Sequence, residues 1–217
     1  MKICLKEYLM KRISILILTL LVYTPAAVFP QGQGPIENGC RNWINLFGMH
    51  YQSGGSSSSD SQGIVADSNI DFAIKGNILY LNGNKIASPW TLREVMSIMG
   101  RYDRVSNLLN NIYTYDSRGV LIYEAPGSAM VTEINVSFIV DKYDFSARAG
   151  FTGAFSINNF RYTGNTSIDE VKKNFAAYKI EEGFGNSYRV SLGRIYVYFN
   201  YDPAAGNLTC VSFGQER

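Results

Sequence analysis

Histidine is almost missing from this chain: His50 is the only one in 217 residues. That excludes a multi-histidine metal centre and the His-x-x-x-His zinc motif. A Ser-His-Asp triad would have to use His50, and no Gly-x-Ser-x-Gly elbow is present to carry its serine. No serine is followed by lysine three residues on, so the penicillin-interacting serine pattern is lacking as well. The same holds for the phosphate loop, the dinucleotide fingerprint and the calcium loop. Cysteine is scarce, with three residues, and proline with six. Charge of one sign is lacking too, with 20 basic against 18 acidic side chains. After residue 30 no apolar run approaches the roughly 20 residues a membrane-spanning helix needs.

What is present begins with an export signal. Lys2, Lys6, Lys11 and Arg12 precede an apolar run over 13–23, which Thr24 and Pro25 interrupt. A basic region, a short apolar core and small residues make the pattern of a cleaved signal peptide, here residues 1–26. Either Met1 or Met10 can serve as the start. Loss of four basic residues and Glu7 with the signal leaves 16 basic against 17 acidic. A near-neutral mature chain gives no footing for nucleic-acid binding, which rests on clustered Lys and Arg. No cofactor motif is present, and no membrane span is expected once the signal is gone.

Export also frames the cysteines. Cys4 leaves with the signal, so Cys40 and Cys210 remain. In an oxidising compartment they can form one disulfide, the alternative being two buried thiols. Residues 27–67 read as an extension followed by a Ser/Gly linker, whose densest stretch is residues 53–63.

The rest of the chain repeats itself. Leu81-Asn82, followed by the run Thr91 to Val95, is echoed by Ile157-Asn158 and the run Ser167 to Val171. The strand-like runs 120–123 and 195–198 match, as do 136–138 and 211–213. The offset stays at 75 or 76 throughout. Repetition at a fixed spacing implies two copies of one supersecondary unit. The copies are read as module 1 over 68–141 and module 2 over 147–214. Within the first, strands are expected at 72–75, 78–82, 112–115, 120–124 and 131–140, with a helix from Thr91 to Gly100. Thr91 with Glu94, and Ser167 with Glu170, have capping-box spacing. The second copy repeats the order, with strands at 155–158, 160–163, 188–192, 195–201 and 208–213 and a helix over 167–178. The expected class is α+β: two tandem copies of a strand pair, one helix and a three-stranded antiparallel meander.

Two sets of side chains are candidates for function. The first is Tyr196, Tyr198 and, after a change of face, Tyr201. Strand alternation puts Tyr196 and Tyr198 opposite Val197 and Phe199. Tyrosine suits a binding surface because it pairs a rigid apolar face with a polar tip. The competing reading is packing between the copies. The second set is Asp116, Glu124 and Glu133, on neighbouring strands. Glycoside hydrolysis needs two carboxyls at fixed separation, but Asp116 before Ser117-Arg118-Gly119 also reads as a turn residue.

The repeat order and length resemble the tandem modules of the β-lactamase inhibitory protein and small periplasmic modules such as BamE. Residues 70–140, through the segment Tyr113 to Tyr123 with its aromatic-Asp and following Gly, also resemble an uncharacterised bacterial domain family. The resemblance implies an exported non-catalytic binding module, periplasmic or extracellular. Its partner would be a protein, with the chain acting as inhibitor, immunity factor or envelope accessory. The alternative from the residues is a small carboxylate-dependent envelope hydrolase.

Overall fold

The structure is a computed structural model that describes residues 69–216. The signal (1–26), the extension and linker (27–67), Cys40 and His50 lie outside those residues.

Short hairpins open each half of the chain. β1 (Phe72–Lys75) pairs antiparallel with β2 (Ile78–Leu81), and β2 with β3 (Asn84–Lys85). The two-residue link Asn82-Gly83 has φ of 50° and 78°, as a type I′ turn requires. After β8 (Phe155–Ile157), Asn158 and Asn159 do the same with φ of 48° and 74°, leading into β9 (Phe160–Tyr162). Asparagine tolerates this region because its short polar side chain can bond locally. The side chain of Asn158 accepts from the Gly76 amide at 2.8 Å and so ties one hairpin turn to the other.

Each hairpin leads to a helix. In α1 (Leu92–Met99) Thr91 caps the Glu94 amide, but the Glu94 carboxylate accepts from Ala87 N at 2.9 Å rather than from the cap residue. In α2 (Ile168–Asn174) the box closes in both directions between Ser167 and Glu170. The helices bury Val95 and Met99, and Val171, in the main core. They are only 8 and 7 residues long.

The remaining strands are β4 (Arg104–Asn107), β5 (Asn111–Tyr115), β6 (Val120–Glu124), β7 (Val131–Ser137), β10 (Ile180–Glu182), β11 (Ser187–Leu192), β12 (Ile195–Tyr201) and β13 (Leu208–Gln215). They form one antiparallel sheet in the order β10-β11-β12-β13-β7-β6-β5-β4. The hairpins form a second sheet, β3-β2-β1-β8-β9, in which β1 and β8 run parallel.

This architecture overturns the expected α+β class of two tandem modules. Strand far outweighs helix among the described residues, which hold only the two short helices, and neither stretch keeps a sheet to itself. β7 pairs with β13 along five residues, Val136 opposite Val211, and β1 pairs with β8. The physical reason is the edge. Two separate meanders would leave β7 and β13 with open N–H and C=O rows, and pairing them removes both edges. The strand order of the large sheet then reads alike from either end.

The sheets meet through aromatic side chains. Phe213 on β13 packs against Phe72 on β1, Phe155 on β8 and Trp90, with ring centroids 5.4 to 6.1 Å apart. Phe199 adds Tyr162 and Phe175. A smaller cluster on the other face of the large sheet holds Ile112, Leu121, Phe145 and Ala147, so residues 145–147 cover β5 and β6 there. No helix among the described residues is long and apolar enough to cross a membrane.

Candidate functional site

The outer face of the large sheet, away from the aromatic core, carries the densest polar constellation. On β12, Val197 and Phe199 are fully buried in the core, so alternation turns Tyr196 and Tyr198 outward. Both are half-buried, and their rings meet edge to face at 5.5 Å. The Arg189 guanidinium, one strand over on β11, stands 5.8 Å from each ring centroid. Arg189 is held by Glu181 at 3.3 Å and by Glu216, whose carboxylate also accepts from Ser191 at 3.0 Å.

Tyr196 lies across β13 at Gly214, where a side chain would collide: an added Cβ would be 2.3 Å from the tyrosine oxygen. That gap lets the hydroxyl reach Thr132 O and Glu133 Oε2 on β7, each at 3.3 Å. Removal from water pushes the Glu133 carboxyl from 4.5 up to about 7, against the opposing pull of hydrogen bonds with Ser212 and Tyr196. Burial, followed by the nearby Glu133 charge, raises the Tyr196 phenol well above its ordinary value. Tyr123, paired with Glu133 across β6 and β7, is raised by the same two causes. Below Tyr198 run Ser212 and Asn135, linked at 2.8 Å, and Asn135 accepts from Ser137 at 2.8 Å.

Tyr201 does not join this face. Tyr201 keeps the inward alternation of Val197 and Phe199 and lies in the core, 5% exposed, against Tyr188; the register shift after Asn200 skips Thr209 on β13 and does not turn it outward. Its hydroxyl is buried with no hydrogen-bond partner among the described residues. A binding contact through Tyr201 would require opening the core, so the expected trio is reduced to Tyr196 and Tyr198. Cys210 is fully buried on β13, opposite Ser137, and its sulfur accepts from Asn200 Nδ2 at 3.4 Å. Its expected partner, Cys40, lies outside the described residues.

The three carboxylates occupy three environments. Asp116 takes a two-point bond from Arg104, with both contacts at 2.9 Å, and accepts from Arg148 N at 3.2 Å. The Arg104 guanidinium also donates to Asp144 O and Ser146 O. Asp116 therefore fastens residues 144–148 to the β5–β6 turn, which deepens its reading as a turn residue. Glu124 lies on the core side of β6 and accepts from Tyr113 at 2.6 Å and Asn111 at 3.1 Å. Burial and then that bond raise the Tyr113 phenol to about 12. Glu133 stands on the opposite face. No two of the three share a cleft, and the carboxyl pair needed for glycoside hydrolysis is not formed by them. Among the described residues no three acidic, histidine or cysteine side chains gather as a metal site.

Sequence reasoning passed over Arg189 and the contact from Glu133 to Tyr196. A glutamate between Thr132 and Ile134 is legible as facing away from the core, but its neighbour two strands away depends on the pairing of β7 with β13.

No curated protein matches the chain. Among solved structures it is similar to an extracellular protein containing a SCP domain from Bacillus anthracis str. Ames, at 12% identity and TM-score 0.42. The alignment covers 74% of this chain and 50% of that one, so this chain spans half of that protein's length. It is also similar to a DUF4309 family protein from Bacillus subtilis subsp. subtilis str. 168, at 12% identity and TM-score 0.38, covering 62% and 84% of the two chains. A third is a cysteine-rich secretory protein from Staphylococcus aureus subsp. aureus Mu50, at 10% identity and TM-score 0.32, covering 60% and 44%. Likenesses this distant carry no functional argument. None of the comparisons supports the resemblance to the β-lactamase inhibitory protein or BamE. The likeness of residues 70–140 to an uncharacterised domain family fares better: the family described as a domain of unknown function (DUF7738) matches residues 71–172.

Proposed function

We propose that this chain is an exported, non-catalytic binding module for a protein partner, acting as an inhibitor, immunity factor or envelope accessory. The supporting observation is the pair Tyr196 and Tyr198, outward on the sheet, edge to face, with Arg189 beside both rings. Aromatic and arginine side chains on a firm backbone are the residue types that dominate protein interfaces. A near-neutral chain adds little long-range steering, so affinity has to come from buried aromatic area. The hydrolase reading has no such support, because its carboxylates are separated.

The test is capture of the partner from envelope extract followed by calorimetry with the purified pair. Tyr198→Ala and Tyr196→Ala are each expected to weaken binding by about 1–3 kcal/mol with unchanged circular dichroism. Normal affinity in both variants would remove this face from the interface. Unfolding of both would make the tyrosines structural.

Export carries a redox expectation: Cys40 and Cys210 are bonded in the mature protein. Closing so long a loop contributes on the order of 3–5 kcal/mol. Peptide mapping without reductant should recover the two cysteines linked. Recovery of two alkylated thiols would reject the bond.

A further inference from the structure

The outward side of the large sheet carries a row of small polar side chains across three strands. Asn200 on β12, Cys210 on β13 and Ser137 on β7 stand in register, and Ser212 and Asn135 form the next row. Their chain neighbours Phe199, Val211, Phe213, Ile134 and Val136 lie in the main core, so alternation turns these five away from it. They are buried all the same: Ser137 is 8% exposed, Asn200 and Asn135 3%, Ser212 1% and Cys210 0%. Side chains this short do not shield one another from water on an open sheet, where serine and asparagine are mostly exposed. The second sheet and both helices pack on the opposite side, and residues 145–147 cover β5 and β6. No described strand or helix therefore covers the row.

The row suits an apolar cover. Asn135 donates to Ser212 and accepts from Ser137, both at 2.8 Å, and Asn200 donates to Cys210 at 3.4 Å. Polar groups already paired with one another lose water at little cost. The exception is Asn200 Oδ1, buried with no hydrogen-bond partner among the described residues. A backbone N–H crossing the row would satisfy it.

The chain also enters the described structure beside this row. Thr152 Oγ1 donates to Asn69 Oδ1 at 3.5 Å, and the preceding residue, Phe151, donates its N–H to Ser137 O at 2.7 Å. The 18 residues 51–68 separate Asn69 from a stretch holding Trp43, Ile44, Leu46, Phe47 and Met49. A Ser/Gly-rich link of that length spans about 21–25 Å on average. From Ser137 to Asn200 is two strand spacings, about 10 Å, so the stretch can reach the whole row.

We propose that residues 40–50 of this chain dock on this row, their apolar side chains lying over Asn200, Cys210 and Ser137. The docking is compatible with a bond from Cys40 to Cys210 but does not require it. It goes beyond the proposed partner binding and does not rest on it.

The test uses the full chain carrying Cys4→Ser and Cys40→Ser, which leaves Cys210 as the one thiol and removes any disulfide. Labelling by iodoacetamide should be at least about 100-fold slower than in the urea-unfolded chain. Adding Trp43→Ser and Phe47→Ser should speed it by about tenfold or more, with unchanged circular dichroism. Labelling at the unfolded rate before those two substitutions overturns the proposal, and so does an unchanged slow rate after them. A benzophenone side chain in place of Phe47 reads the docking even if the double variant unfolds. Its cross-links should map to β7, β12 and β13 of the same chain. Cross-links confined to the second sheet, or none at all, overturn the proposal. Links between two chains would give the row to a second copy and overturn it as well.

Discussion

Phe213→Ala is expected to destabilise the protein by about 3–5 kcal/mol, the range for truncating a fully buried phenylalanine. Phe213 is 0% exposed and touches rings from both sheets: Phe72 at 5.6 Å, Phe155 at 5.4 Å and Trp90 at 6.1 Å. Two of these contacts are edge to face and one is stacked, geometries that add about 0.5–1.5 kcal/mol each beyond area burial. The strand around it is clamped between β12 and β7, so the backbone has little freedom to collapse into the space left behind. Urea unfolding would read the loss as a lower midpoint at unchanged slope. Phe213→Leu, which keeps most of the volume, should cost distinctly less. A loss under about 1 kcal/mol for the alanine variant would mean that the two sheets do not meet at this residue.

The second large effect is a dependence on pH. Glu133 has its carboxyl raised from 4.5 to about 7 by desolvation. A carboxyl that holds its proton more tightly when folded contributes stability that is fully present below the unfolded value. Between pH 4.5 and about 7 the unfolded chain gives up this proton while the folded one keeps it, so stability falls as pH rises. Above about 7 the fall from this group is complete. The groups facing Glu133 are Tyr196, Ser212 and Tyr123, and both phenols are raised, so they stay neutral across the window. The expected loss is on the order of 2–3 kcal/mol, a partly exposed carboxylate being screened by water. Glu133→Gln removes the titration while keeping an acceptor for Tyr196. The variant should match the parent at pH 4 and exceed it by that amount at pH 8. Parallel curves for the two proteins over this range would refute the assignment.

Structure is legible in the sequence where its cause is local. Thr91 and Ser167 cap their helices because hydroxyl and amide lie three residues apart, whatever packs on the helix. The Asn82-Gly83 turn follows from backbone sterics. Alternation along β12 separates Tyr196 and Tyr198 from Val197 and Phe199, since the period of two belongs to any strand. Asp116 was legible as a turn residue, although its partner Arg104 was not.

What the sequence by itself determined is therefore most of the strands, though not β3, β4 or β10, together with the turns and caps, the lack of the residues for a multi-histidine centre, and the outward direction of two tyrosines. The tertiary structure alone decided that β7 joins β13 and β1 joins β8, which turned an expected pair of α+β modules into two shared sheets. Backbone hydrogen bonds are alike in every strand, so the choice of partner rests on long-range packing and the removal of open edges. The same pairing decided that Glu133 meets Tyr196 over Gly214, and that Lys85 and Arg194 come close in space. Each brings together residues more than 60 apart in the chain, which no local period records.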